Sequence, residues 1–384
     1  MSVDPVIAGL GGDMAAWRHD IHRHPEVGFK EHRTADKVAG LLREFGVEVH
    51  AGFGGTTAVI GTLRGARQGT LTVGLRADMD ALPLQEKSDA VYRSVNEGVA
   101  HSCGHDGHTS MLLGTARYLA EHRDFAGTVR FIFQPAEETL RGGAELVRHG
   151  LFEEFPCDEI YALHNANVVP FGKVGVYNGA LLAANDLFRI RIRGVGSHGA
   201  EPQRAVDPVM IGAQLVQGLQ TVVSRNVDPA RRAVLSVCQF HAGTAINVIP
   251  ESAELEGTIR TMDKDVQRLV LERVQTICRG TAATYGCEIE FEHLLSAPAT
   301  FNHAEQTEVV RQAAGRVVGP ENVVVAPQLM NSEDFAAMLE QRPGSYFLLG
   351  HDGLTCHNPA FDFDDRLLPV GVEVFVEIVR QRLA

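Results

Sequence analysis

The stretch TLTVGLRADMD (70–80) decides the fold: a strand, TLTVGLRA (70–77), runs directly into two acids, Asp78 and Asp80. Outward from it, strand and helix signals alternate. TTAVIGTL (56–63), TVRFIFQ (128–134) and EIYALHN (159–165) read as further strands. Thr109 to Glu121 reads as a buried helix, and 142–149 as a second one. Upstream, residues 3–45 are helical in pattern; apolar residues recur at helical spacing from Glu31 to Phe45, and Gly46 is the expected stop. Such alternation predicts an α/β layer with a mostly parallel sheet.

The middle of the chain differs. LFRIRIRG (187–194) alternates apolar residues with Arg, so one face of that strand is wet, as in an antiparallel or edge-exposed sheet. A helix over about 206–225, strands at 233–243 and 252–261, a helix over about 264–283 and a strand at 287–294 follow. The order β-α-β-β-α-β is the ferredoxin-like split motif. From about 300 onward the first kind of alternation returns. The expected architecture is a discontinuous α/β catalytic domain, 1–183 and 297–384, carrying an inserted α+β ferredoxin-like domain, 184–296.

Bulk properties agree. A chain of 384 residues is long for one core, so two domains are expected. The net charge of −13 argues against a nucleic-acid partner, which needs clustered Lys and Arg. No run approaches 18 uncharged apolar residues, so no membrane span is expected. MSVDPVIAGLGGDMAAW (1–17) lacks a basic segment followed by a long apolar one, so no secretory signal is expected either. Six scattered cysteines then read as free thiols in a reducing cytoplasm.

Polar residues gather where the first domain's strands end. TLTVGLRA leads to Asp78 and Asp80, TVRFIFQ to Pro135-Ala136-Glu137-Glu138, and EIYAL to His164-Asn165, while HSCGHDGH (101–108) precedes a helix. Ligand crevices of open parallel sheets lie at those strand ends. Thiolate, imidazole and carboxylate together suit a divalent metal. Of the adjacent Glu137 and Glu138, one can bind metal while the other takes a proton from water. Two metals about 3.5–4 Å apart hold a hydroxide and polarise a carbonyl. Taken singly, these residues read more plainly: Glu-Glu pairs are common on surfaces, and a lone Cys103 or His164 suits a core. His101 and His108 read as caps or decoration of a helix start. The convergence of four segments favours the metal.

Two other motifs are set aside. GVGSHG (194–199) matches a dinucleotide fingerprint, but its strand alternates with Arg and no acid follows about 20 residues on. Cys356-His357 resembles a nucleophile pair, yet adjacent residues usually point apart.

HRHPEVGF (22–29), GLRADMDALPLQE (74–86), AHSCGHDGHTSMLLG (100–114), FIFQPAEE (131–138), GSHGAEP (196–202), INVIPESAELEGTIRT (246–261), NSEDF (331–335) and CHNPAFDFDD (356–365) occur in order along the chain. Together they resemble the two-metal amidohydrolases of the aminoacylase and carboxypeptidase group, in the subgroup of hippurate hydrolases and auxin-conjugate hydrolases. The resemblance implies that Cys103 bridges two metals, that His105, Glu138, His164 and His357 complete the ligands, and that Glu137 is the general base. The wider group has His-x-Asp where this chain has Asp78-Met79-Asp80; Asp80 then orients a ligand, His105 compensates, and a role for Asp78 at the metal is left open. The resemblance also makes His198 an oxyanion donor and Asn247 and Arg260 substrate-binding residues, with Arg260 otherwise a surface charge. The inserted domain is implied to dimerise.

The expected function is metal-dependent hydrolysis of an N-acyl amino acid to a carboxylic acid and a free amino acid, using two divalent ions, Mn²⁺ or Zn²⁺. The expected form is a cytoplasmic homodimer. Alternatives are a dipeptidase or biosynthetic N-acetyl-amino-acid deacetylase, a non-catalytic metal-stabilised binding protein, and a redox role for Cys103.

Overall fold

A computed structural model describes residues 3–384; Met1 and Ser2, the start of the stretch read above for a secretory signal, lie outside the described residues. The chain divides into two compact units: the chain up to Leu181 with Thr300–Gln328 and Glu333–Ala384, and Leu182–Ala299 with Leu329–Ser332. In chain order, the longer elements of the first stretch are α1 (Gly11–Arg23), α2 (His32–Glu44), β1 (Glu48–Ala51), β2 (Val59–Arg64), β3 (Arg67–Asp78), α3 (His105–Glu121), β4 (Ala126–Gln134), α4 (Gly142–Arg148), β5 (Glu159–Ala166) and β6 (Val174–Val176). The second unit adds β7 (Ala184–Arg193), α5 (Pro208–Asn226), β8 (Ala233–Ala242), β9 (Ser252–Thr261), α6 (Lys264–Tyr285) and β10 (Glu288–Ala297). The chain ends with α7 (Ala304–Val318), β11 (Val323–Val325), β12 (Gly344–Gly350) and α8 (Leu368–Arg382).

The first unit's sheet runs β1-β2-β4-β3-β5-β12-β6-β11. Its four central strands, β4, β3, β5 and β12, are mutually parallel, while β2 and β6 pair antiparallel at the flanks. The inner part of β3, Val73–Asp78, is wholly buried, as a strand covered by helices on both faces must be. Helices α3 and α8 lie deep in the core. They approach so closely that a Cβ on Gly371 would stand 2.1 Å from Met111 Sδ, so a larger residue there would force that side chain to move.

Among the boundaries that differ from the sequence reading, two have a clear local cause. The strand expected at 56–63 starts at Val59, because the Thr56 hydroxyl donates to Phe53 O (2.8 Å) and accepts from Ala58 N–H (3.1 Å), closing a local turn instead. The helix expected at Thr109 starts at His105. Its first turn buries His105, Asp106 and His108, so no apolar period announces it.

The second unit's sheet, β8-β9-β7-β10, is antiparallel throughout and has the strand order of the ferredoxin-like motif. One face packs Phe188, Ile190 and Ile192 against Ile211, Leu215 and Leu219 of α5 and Val270 and Val274 of α6. The other face carries the alternating arginines: Arg189 pairs with Glu256, and Arg191 with Glu254 (3.1 Å) and Glu292 (2.9 Å). An antiparallel strand before GVGSHG is not the parallel strand a dinucleotide site needs.

Candidate active site

Four segments of the first unit converge beyond the ends of β3, β4 and β5. Gly104 caps the start of α3, and its φ of +101° and contact with Asn165 exclude a side chain: a Cβ would lie 2.1 Å from Asn165 Oδ1. After β4, Ala136 takes φ +57°, which turns Glu137 and Glu138 back over the strand ends. Asp80 fastens this turn: its carboxylate accepts the amides of Glu137 (2.9 Å) and Glu138 (3.0 Å). Glu31 fastens it from the other side, accepting Ala136 N–H at 2.9 Å.

Backbone carbonyls fix the ring orientations of two histidines. His105 Nδ1 donates to Asp80 O (2.9 Å), which points Nε2 toward Glu137 (3.8 Å) and Glu138 (3.9 Å). His164 Nδ1 donates to Asn165 O (2.6 Å), which turns its Nε2 to Cys103 Sγ at 3.3 Å. His357 Nε2 lies 3.2 Å from Glu138 Oε2. His105 Nε2 and Glu138 Oε1 face each other at 3.9 Å, both buried and both without a hydrogen-bond partner among the described residues. Two buried polar atoms that face each other unbonded at that separation leave a gap that a cation between them would close. The donor set thus fits divalent metal.

His101 and His108 do not cap the helix. His108 is fully buried inside α3, bridging Asp78 Oδ1 (2.7 Å) and Asn165 Oδ1 (2.8 Å). His101 is buried with neither ring nitrogen bonded among the described residues, and burial pushes it down to about 3, so it stays neutral. Asp78 has both oxygens engaged, one by His108 and one by Arg76 Nη1 (2.7 Å). Arg76 also binds Glu333 (2.8 Å), Asp334 (3.1 Å) and Gln134 (2.9 Å), with no exposed atoms to hydrate it. These buried acids, of which Glu333 and Asp334 come from NSEDF, crowd Glu137.

The adjacent glutamates are driven apart. Burial, then the charges of Glu333, Glu138 and Asp334, push the Glu137 carboxyl well above its usual range. Burial would raise Glu138 too, but His357 and His105 outweigh it and hold Glu138 below the usual range. One neighbour is thus inclined to hold a proton and the other to stay anionic, the division that acid–base work needs.

A second buried network steadies the start of α3. Arg18, fully buried, reaches Asp106 (3.3 Å) and Asp362 (3.0 Å). His22 bonds Asp106 (2.8 Å) and Glu86 (3.1 Å). Burial disfavours protonated His22, yet Asp106 and Glu86 prevail and raise it to about 9. A raised histidine stabilises the fold fully below its unfolded value near 6.5, and that stability is lost as pH rises through 9. Urea unfolding of the metal-free protein should show stability falling between pH 6.5 and 9, by at most ~3 kcal/mol from this group. His22→Gln should flatten that slope, and an unchanged slope would refute the assignment.

The remaining sequence candidates belong to the second unit. His198 lies on a two-residue strand opposite Val248, beside Asn247, whose carbonyl accepts Gly199 N–H at 2.8 Å. Its Nδ1 accepts Ala200 N–H (3.1 Å), so Nε2 carries the hydrogen. Arg260, on β9, donates to Thr258 Oγ1 at 2.9 Å. Sequence reasoning missed Glu31, Arg18, His22 and the cluster of Arg76, Glu333 and Asp334. HRHPEVGF and NSEDF flagged some of these without giving them a task.

The family model described as Peptidase family M20/M25/M40 matches residues 74–381. A hippurate hydrolase of Campylobacter jejuni is 39% identical over 388 residues, covering 100% of both chains. An N-acyl-L-amino acid amidohydrolase of Geobacillus stearothermophilus is 44% identical over 281 residues, 73% of this chain and 75% of its own. A crystal structure from Bacillus subtilis, described as a dinuclear metal binding peptidase from the M20 family, matches with a TM-score of 0.86 at 34% identity, covering 98% of this chain and 99% of its own. With its ordered motifs, its sheet and its cluster of metal-type donors, this chain belongs to peptidase family M20/M25/M40.

Proposed function

We propose that this chain hydrolyses the amide bond of N-acyl amino acids, holding two divalent metal ions with Cys103, His105, Glu138, His164 and His357 and using Glu137 as general base. The observation that carries the reading is the donor cluster: His105 Nε2 and Glu138 Oε1 face each other unbonded at 3.9 Å, beside Cys103, His164 and His357, with Glu137 adjoining. The names of the hippurate hydrolase and the N-acyl-L-amino acid amidohydrolase point to the same substrate class. When bound, the metals supply an activated water and polarise the scissile carbonyl. Glu137 takes the proton of the attacking water and passes it to the leaving amine. Asp80 fixes the main chain of both glutamates and the ring orientation of His105. His198, with its Nε2–H available, is the oxyanion donor in this reading, and Asn247 and Arg260 bind the amino-acid portion.

Mn²⁺ and Zn²⁺ are the candidate ions. The chain is read as a homodimer, joined through the second unit, where β8 is an edge strand with Val234 and Phe240 exposed. No helix among the described residues is long and apolar enough to cross a membrane. A reducing cytoplasm suits its six free thiols.

The test is release of free amino acid from N-acetyl, N-benzoyl and indoleacetyl amino acids and from dipeptides, after chelation and again with added Mn²⁺ or Zn²⁺. Metal-restored cleavage of acyl amino acids is expected. Cleavage of dipeptides alone would make the chain a dipeptidase, and silence across the panel with metal bound would favour a binding protein.

A further inference from the structure

We infer that Cys356 is a second thiolate ligand of the metal centre, joining Cys103 and His164 on one of the two ions. The inference rests on the metal reading proposed above. Cys356 Sγ, Cys103 Sγ and a ring nitrogen of His164 all lie within 4.8 Å of one another. Cys103, Glu138 and His357 form a second group within the same limit. Cys103 stands in both groups, as a bridging ligand would, and the adjacent residues 356 and 357 serve one group each.

Neighbouring side chains in an extended segment point to opposite sides. Here His357 has φ +67°, the left-handed region that a residue with a Cβ adopts at a cost of about 1–2 kcal/mol. The turn is tied down by His357 N–H donating to Ser102 O at 2.6 Å, next to Cys103. Through it, both side chains converge on Cys103. Backbone strain of this kind persists where the surrounding structure over-determines a site. The expectation that Cys356 and His357 diverge is thereby overturned, although they converge as neighbours of Cys103 and not as a nucleophile and its base.

The Cys356 thiol donates to Cys103 O (3.4 Å), and its sulfur accepts from Asn165 Nδ2 (3.5 Å). Coordination replaces that thiol proton, which leaves to solvent, while the Asn165 amide still supports the resulting thiolate. Asn165 is itself bonded to His108, so the sulfur sits in the same buried lattice as the histidines. A second thiolate softens the donor set, and soft donors favour zinc over manganese. Cys356 is therefore a residue that selects the metal.

The test loads the metal-free, full-length protein with two equivalents of Co²⁺ and reads the near-ultraviolet sulfur-to-cobalt charge-transfer band. A bridging Cys103 contributes two sulfur–metal bonds and Cys356 one, so Cys356→Ser and Cys356→Ala should each lose about a third of the band. Cys238→Ser, at an exposed thiol, should lose none. In competition, both Cys356 variants should shift the Zn²⁺-to-Mn²⁺ preference roughly ten-fold or more toward manganese. On the unaltered protein, X-ray absorption at zinc should find about 1.5 sulfur neighbours per ion, against about 1.0 for Cys103 alone. A wild-type band that persists undiminished in both variants, or about one sulfur per zinc, overturns the role of Cys356 alone. Absence of any thiolate band in the wild type with two cobalt ions bound overturns the ligand role of Cys103 and with it the centre as proposed.

Discussion

Glu137→Gln lowers kcat by about 10²–10⁴-fold and leaves the metal content unchanged. The carboxamide keeps the shape of Glu137, and its amide still reaches Asp80, because that bond is made by the main chain. The ligand set also survives, since Glu138, the neighbour held anionic by His357 and His105, is untouched. What disappears is the carboxyl beside the metal donors that burial and the surrounding acids incline to accept a proton. A large drop in turnover with intact metal is therefore specific to a proton carrier. Turnover measured beside elemental analysis decides it: near-normal kcat removes Glu137 from the base role, and lost metal makes it a ligand instead.

Arg76→Met destabilises the metal-free protein by about 3–5 kcal/mol. Arg76 is fully buried and is the shared cation of Asp78, Glu333 and Asp334. A methionine fills the volume but leaves three carboxyl groups in a dry interior with their common counter-charge gone. Arg76→Lys should fall between wild type and Arg76→Met, because a single ammonium keeps the charge and loses the fork that serves several partners at once. Urea unfolding gives the comparison. A loss below about 1 kcal/mol for Arg76→Met would mean that these acids are already neutral in the fold and need no cation.

The sequence made the frame of this site legible because its strands carry their own signals. The acids after β3, the glutamates after β4 and the histidine of β5 each follow a β-rich run, so their placement on one rim could be reasoned from strand order alone. The arginine alternation of β7 likewise disclosed a sheet with one wet face. Buried polar residues were illegible for a related reason. His105, Asp106 and His108 begin a helix whose first turn has no apolar period, and His108 read as surface decoration although it is a buried bridge from Asp78 to Asn165. Arg76 meets Glu333 and Asp334 across more than 250 residues of chain, a pairing that no local pattern encodes. Cys356 and His357 read as divergent because nothing in CHNPAF declares a left-handed histidine. What the sequence displayed was the class of each donor; what it hid was the partner that holds each donor in place.

The most direct test of the central claim is a metal titration of the chelated protein, following amide hydrolysis at each addition of Mn²⁺ or Zn²⁺. The account expects no turnover without metal and a rise that levels off at two equivalents per chain. Full activity in the chelated protein, or a plateau at one equivalent, would contradict a two-metal site built on a bridging Cys103.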